Sequence, residues 1–326
     1  MSIHASRKVR SRESHRIVSV YFAALLSAAG MFVFPKPLLG QGAAIKSNPT
    51  RLGAEADQRP SGAQVELERA GAADAPPAGK TKLHRLLDES AKGYLIYSGD
   101  ARAEPLKLKC VLRWANLTRG SVDGATYIWM LDGRPLATVC VYPWAGRLCD
   151  NFQSLAEGPI AARLDGRELW RCEKPGVRFQ VVPSGPKPEK SATGRQRQMK
   201  SLAGQFRTTL MGWNAADTDR EELRMLPRPV HQHEEGGLVE NAIFAFVQGT
   251  DPEAFLLLEV RSKAADSEED PQWHFAMARR TSGWLETRYK EELVWKVERL
   301  HDYSDPKQPH FQYVHPTLLD DADGSK

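Results

Sequence analysis

Few residues in this 326-residue chain could do chemistry, and their spacing narrows what that chemistry would be. His231-Gln-His233-Glu234-Glu235 is the densest cluster. On a strand, residues i and i+2 share a face, so both imidazoles would reach one metal ion. A hydrolase built there would use His231, His233 and the neighbouring carboxylates. The competing reading is the exposed end of a hairpin before Gly236-Gly237, and on balance no metal is assigned. Nucleophile-elbow, zinc-protease, Walker and dinucleotide-binding patterns do not occur, so no cofactor and no catalytic residue is assigned. Asp217, Asp219, Glu221 and Glu222 read as the acidic opening of a helix, where negative charge offsets the dipole. Asp251-Pro252-Glu253 reads as a turn, where Asp and Pro serve the backbone. The eight tryptophans offer stacking surfaces for carbohydrate or peptide, but most lie on apolar faces, and about six are expected in the core.

The His-x-His start resembles the cupin metal motif but departs from it. Gly237 and Leu238 stand where that motif places its glutamate. Cys110, Cys140, Cys149 and Cys172 contain no Cys-x-x-Cys spacing, which removes the zinc and thioredoxin-type signatures. A Cys140–Cys149 disulfide across a short loop and a set of buried free thiols both remain open.

The formal net charge of +4 belongs to the leader, where Arg7, Lys8, Arg10, Arg12 and Arg16 face only Glu13. The remaining chain is neutral, so nucleic acid is not an expected partner. Ile17–Phe34 is uncharged and apolar, followed by small residues around 40–44. Residues 1–40 thus read as a signal peptide or, since the uncharged run is 18 residues long, a single membrane anchor. Clustered positive charge would keep the N-terminus inside and send the rest across. The expected location is therefore periplasmic or secreted, with membrane contact only through 17–34 if that segment is uncleaved.

Residues 41–80 are rich in Ala, Gly and Pro without periodicity and read as a disordered linker. The folded part is placed at 81–300, with 301–326 as a flexible polar tail whose Phe311, Tyr313 and Val314 could dock on the body. Leu83, Leu86 and Leu87 fit a helix stopped by Gly93. Period-two runs predict strands from Leu106, and Asp132-Gly133 and Asp165-Gly166 predict tight hairpins. A helix is predicted over 193–213 from the stripe Met199, Leu202, Ala203, Phe206, Leu210 and Trp213, and a helical turn over 221–226. Strands follow at 241–247, 254–260, 273–277 and 293–297. Gly124–Met130 and Asn241–Val247 share a pattern, each leading through a turn into an apolar strand. The expected fold is α+β: antiparallel sheet built from hairpins with a few packed helices, the shared pattern being either two similar β units or two hairpins of like patterning.

Leu112–Ala125, Leu131–Pro135, Phe152–Leu155 and Phe246–Glu253 together resemble a family of exported proteins from planctomycete bacteria that has no known activity. The resemblance implies bacterial export and transfers no site residue. The reading is a non-catalytic extracytoplasmic binding or structural module that meets an envelope protein or polysaccharide. The alternative is an exported hydrolase centred on His231 and His233.

Overall fold

Alternation of side-chain faces builds the sheets of this protein. In the strand from Val122 to Leu131, Ala125, Tyr127 and Trp129 point into one core and Ile128 into another, so both faces are buried. The structure is a computed structural model that describes residues 78–99, 104–116, 122–211, 220–235, 238–261 and 271–319. The expected leader at 1–40 and nearly all of the expected linker lie outside the described residues. Among the described residues no helix is long and apolar enough to cross a membrane.

The first half runs α1 (Ala78–Gly93), β1 (Tyr94–Ser98), β2 (Lys107–Asn116), β3 (Val122–Leu131), β4 (Arg134–Trp144), β5 (Arg147–Ser154), β6 (Ile160–Leu164), β7 (Arg167–Cys172) and β8 (Gln180–Val181). The second runs α2 (Ala192–Ala203), β9 (Phe206–Met211), β10 (Arg220–Met225), β11 (His231–Glu235), β12 (Leu238–Gln248), β13 (Asp251–Arg261), β14 (Gln272–Arg279), β15 (Trp284–Tyr289), β16 (Glu292–Val297) and β17 (His310–Leu318). All the strand pairings among the described residues are antiparallel, and the fold is α+β as expected.

The two halves repeat one topology, except that β10, which joins β9 to β12, has no counterpart among the described strands of the first half. Strands β2 to β5 form a meander, as do β11 to β14, while β1–β6–β7 matches β9–β15–β16. The registers match as well. The β3–β4 ladder slips between Trp129 and Met130, placing Met130 opposite Pro135; the β12–β13 ladder slips between Phe246 and Val247, placing Val247 opposite Pro252. Hairpins β6–β7 and β15–β16 share a bulge that puts Ala162 opposite Trp170 and Thr287 opposite Trp295. Bulges that recur at equivalent registers are features of the fold, not local defects. Gly124 thus corresponds to Asn241, the alignment suggested by the sequence.

Three buried clusters stack the molecule into layers. Leu87 and Ala91 of α1 pack with Tyr127, Trp129 and Phe152 on one side of the first sheet. Met199, Leu202 and Ala203 of α2 pack with Phe244, Phe246 and Leu256 on one side of the second. Ile128, Leu155, Ile243, Ala245 and Phe255 fill the space between the sheets. The order is helix, sheet, sheet, helix.

The halves also exchange strands. After β7 the chain crosses to pair β8 with β14, setting Val181 opposite His274; after β16 it crosses back to pair β17 with β5, setting Val314 opposite Cys149. These are equivalent registers, exchanged as in an isologous dimer.

Three expectations change. The helix predicted over 193–213 ends at Ala203, where the Gly204 amide bonds the Lys200 carbonyl, and the chain re-enters as β9. Phe206 and Leu210 lie four apart, a spacing that fits a helix and also two strand repeats; Thr208 and Thr209 between them favour the strand. Trp213 lies outside the described residues. The turn predicted over 221–226 is strand β10, with Leu223 inward and Glu222 paired to Arg207 at 2.9 Å. The tail expected from 301 is ordered to 319, because β17 supplies backbone partners to β5 and seats Phe311 in the first core.

Candidate functional site

Where the halves meet, β2, β4, β5 and β17 leave a cleft of about 720 Å3 against β13 and the Arg280–Ser282 segment. Strand parity decides what faces it. On β4, Val139 and Val141 turn to the α1 side, so Cys140, Tyr142 and Trp144 turn to the cleft. On β17, Phe311 turns to the core, and His310, Gln312 and Val314 to the cleft. The size falls within the usual range for ligand pockets, roughly 300–1,000 Å3.

Aromatic rings form its walls. Trp114 is buried, donates its indole N–H to Thr126 Oγ1 at 3.1 Å, and lies 5.9 Å from Tyr142 between ring centres. Trp144 and Tyr303 are exposed by 54% and 40%. Planar polar groups form the rest. Asn151 and Gln312 both donate amide N–H groups to the Tyr142 hydroxyl at 3.1 Å. Asn116 donates to Asp251 at 3.1 Å. Arg280 is buried and donates one N–H to the Asn151 carbonyl at 3.0 Å, while its Nε and Nη1 have no hydrogen-bond partner.

Burial sets the protonation states. Tyr142 is pushed well above the ordinary tyrosine range by burial and by the nearby Cys149 and Cys140. Burial raises the Cys140 thiol, partly offset by the positive charge of Arg280. Burial, helped by Asp150, raises Cys149 to about 11. His310 is held well below the ordinary imidazole value by burial and then by the charges of Arg280 and Arg279, so it is neutral.

The repeat supplies a counterpart to this cleft, and it is filled. By register, Tyr142 corresponds to Glu259, Trp144 to Arg261 and Asn151 to Ala276. His310 corresponds to Val177 and Gln312 to Phe179. Phe179 occupies the space, with the Arg261 guanidinium 3.7 Å from its ring centre. Arg134 pairs with Glu259 at 3.0 Å and Arg261 with Glu157 at 2.8 Å above it. Burial opposes the charge on Glu157, but the Arg261 hydrogen bond and the charges of Arg261 and Arg134 hold its carboxyl below the usual range.

The sequence singled out His231 and His233, and the structure gives both a packing position. They lie on one face of β11, and their registers match Leu112 and Trp114 of the first half. His231 Nε2 lies 3.0 Å from the Gly133 carbonyl, and burial lowers its pKa. The His233 ring sits so close to Gly133 that a β-carbon there would collide with it. In the reciprocal contact, Thr250 bonds Ala115 through both backbone groups, at 2.8 and 2.7 Å. Each half therefore presses a hairpin turn onto the other's meander. Among the described residues no three His, Cys, Asp or Glu side chains are grouped to hold a metal.

Two further groupings were not legible in the sequence. Asp150 is fully buried and accepts from Ser90 at 2.9 Å, from Tyr94, and from His315 Nε2 at 2.8 Å. The residue types are those of a hydrolytic triad, but the geometry is not. Ser90 and Asp150 both approach the same imidazole nitrogen, whereas a triad sets them on opposite ones. The cluster ties α1, β1, β5 and β17 together. All four cysteines are free thiols; Cys140 and Cys149 face the cleft and Cys110 is exposed.

The cleft residues escaped the sequence reading because they come from both halves and the final strand. Asp251 and Glu253, read there as turn residues, line it from the start of β13. The available signal was parity: the apolar face of 134–142 left Cys140 and Tyr142 together on the other. Comparison with known proteins finds no matching family model, curated protein or solved structure.

Proposed function

We propose that this protein is an exported, non-catalytic binding module whose ligand occupies the cleft between its halves. The observation that carries the reading is the contrast between the two equivalent sites. One is filled by Phe179 and closed by ion pairs, while the other is open, with exposed Trp144 and Tyr303 beside planar polar groups. The same backbone accommodates Phe179, Val177, Glu259 and Arg261 at the filled site, so folding does not demand the particular residues of the open one. Export rests on the apolar run 17–34 and its basic flank, and the partner is envelope material, protein or polysaccharide.

The hydrolase alternative places its site at His231 and His233. Both rings are engaged with the β3–β4 turn, an arrangement that favours packing over chemistry. A crystallographic fragment screen on the full chain tests the proposal. Fragments should collect in the cleft, and a panel of ester, phosphate, glycoside and peptide substrates should show no turnover. Turnover abolished by His231→Ala with His233→Ala, or a cleft left empty by every fragment, would overturn it.

A further inference from the structure

We infer that the cleft takes a neutral saccharide, an inference that rests on the binding reading above. The charges at the cleft are balanced: Asp251 and Glu253 against Arg147 and Arg280. A phosphate, a nucleotide or a strongly charged peptide would meet no net attraction there. The cleft is also lined by planar groups with paired donors or acceptors, the amides of Asn116, Asn151 and Gln312 and the guanidinium of Arg280, and by the hydroxyls of Tyr142, Thr281 and Ser282. Such groups suit adjacent hydroxyls, each of which donates and accepts.

The aromatic groups supply the other half of the chemistry. A pyranose ring has C–H faces that lie flat on an aromatic ring while its hydroxyls project from the edge. Trp144 and Tyr303 keep large apolar faces in water at the cleft. Their amphipathic character matches a ligand that is apolar on its faces and polar at its edges. At the filled counterpart the position of Trp144 is Arg261 and that of Gln312 is Phe179. Stacking ring and amide are therefore both peculiar to the open site, and they are the specificity-determining pair.

The test is titration of the full chain with neutral glucose-, mannose- and N-acetylglucosamine-type oligosaccharides, followed by calorimetry and tryptophan fluorescence. At least one should bind, and Trp144→Ala should weaken it about tenfold, the equivalent of about 1.4 kcal/mol. Tyr303→Ala should weaken it by a smaller factor. Both side chains are exposed, so the fold should be unchanged by circular dichroism. Gln312→Phe should abolish binding by filling the cleft as Phe179 fills its counterpart. The inference is overturned if fragments occupy the cleft but no neutral saccharide binds. It is also overturned if a peptide binds there in preference, or if saccharide binding ignores Trp144→Ala and Gln312→Phe. An empty cleft in the fragment screen would instead remove the binding reading itself.

Discussion

The open cleft and its filled counterpart are one position in a repeated fold with two occupancies. In the counterpart, Phe179 packs against the core between the sheets, which includes Leu257 and Ala276, and Val177 stands where the cleft has His310. In the cleft, Gln312 and His310 replace that pair, and a buried arginine keeps two of its nitrogens, Nε and Nη1, without hydrogen-bond partners. The difference shows which residues the fold requires and which it only tolerates. The shared requirements are the bulges opposite Pro135 and Pro252, the tryptophans at 170 and 295, and the helix-facing aromatics of β3 and β12.

If the halves are equivalent as folding units, equivalent core truncations should cost the same. Trp129→Ala and Phe246→Ala should each destabilise by about 3–5 kcal/mol, with one cooperative transition in urea. A two-step curve, or a large difference between the variants, would break the equivalence. Next in size, Phe179→Ala should cost about 2 kcal/mol, since the ring is only half-buried. It should also open a second fragment site in the screen. Stability lost without a new site would mean that the sheets collapse and the counterpart is not a latent cleft.

The third comparison is set by pH. His310 is neutral in the fold because its pKa is lowered, so the unfolded chain binds the extra proton. Its stability contribution is complete above the unfolded value of about 6.5 and declines as pH falls below it, by up to about 1.4 kcal/mol per pH unit. His231, also lowered by burial, acts in the same direction. His310→Val, which installs the counterpart's residue, should flatten the acid limb of a stability profile between pH 6.5 and 5. An unchanged limb would place the titration elsewhere. The smallest effect belongs to the ion pairs over Phe179. Arg134→Gln should cost no more than about 0.5 kcal/mol, because the arginine is 45% exposed. That loss should vanish in molar salt; one that persists would point to packing of the arginine stem on Phe179.

Local elements were legible where one physical rule acted alone. Asp132-Gly133 and Asp165-Gly166 adopt the positive φ angles that tight hairpins need, and the turns form where expected. Leu87 and Gly93 mark α1 for the same reason. The reading failed where two periods coincided, as at Phe206 and Leu210. It failed again where polarity concealed a partner: β17 looks like a tail until β5 is beside it.

By itself the sequence determined the α+β class, the hairpins and the hint of repetition, because alternation and turn chemistry are local properties of the chain. It also drew attention to His231 and His233, whose spacing is local too. Only the tertiary structure decided that those rings pack on Gly133, that each half lends a strand to the other, and that the cleft remains open. The cleft joins residues from 114 to 314, and no rule of spacing relates them. What brings them together is the register of β17 on β5 and the packing of one sheet on the other.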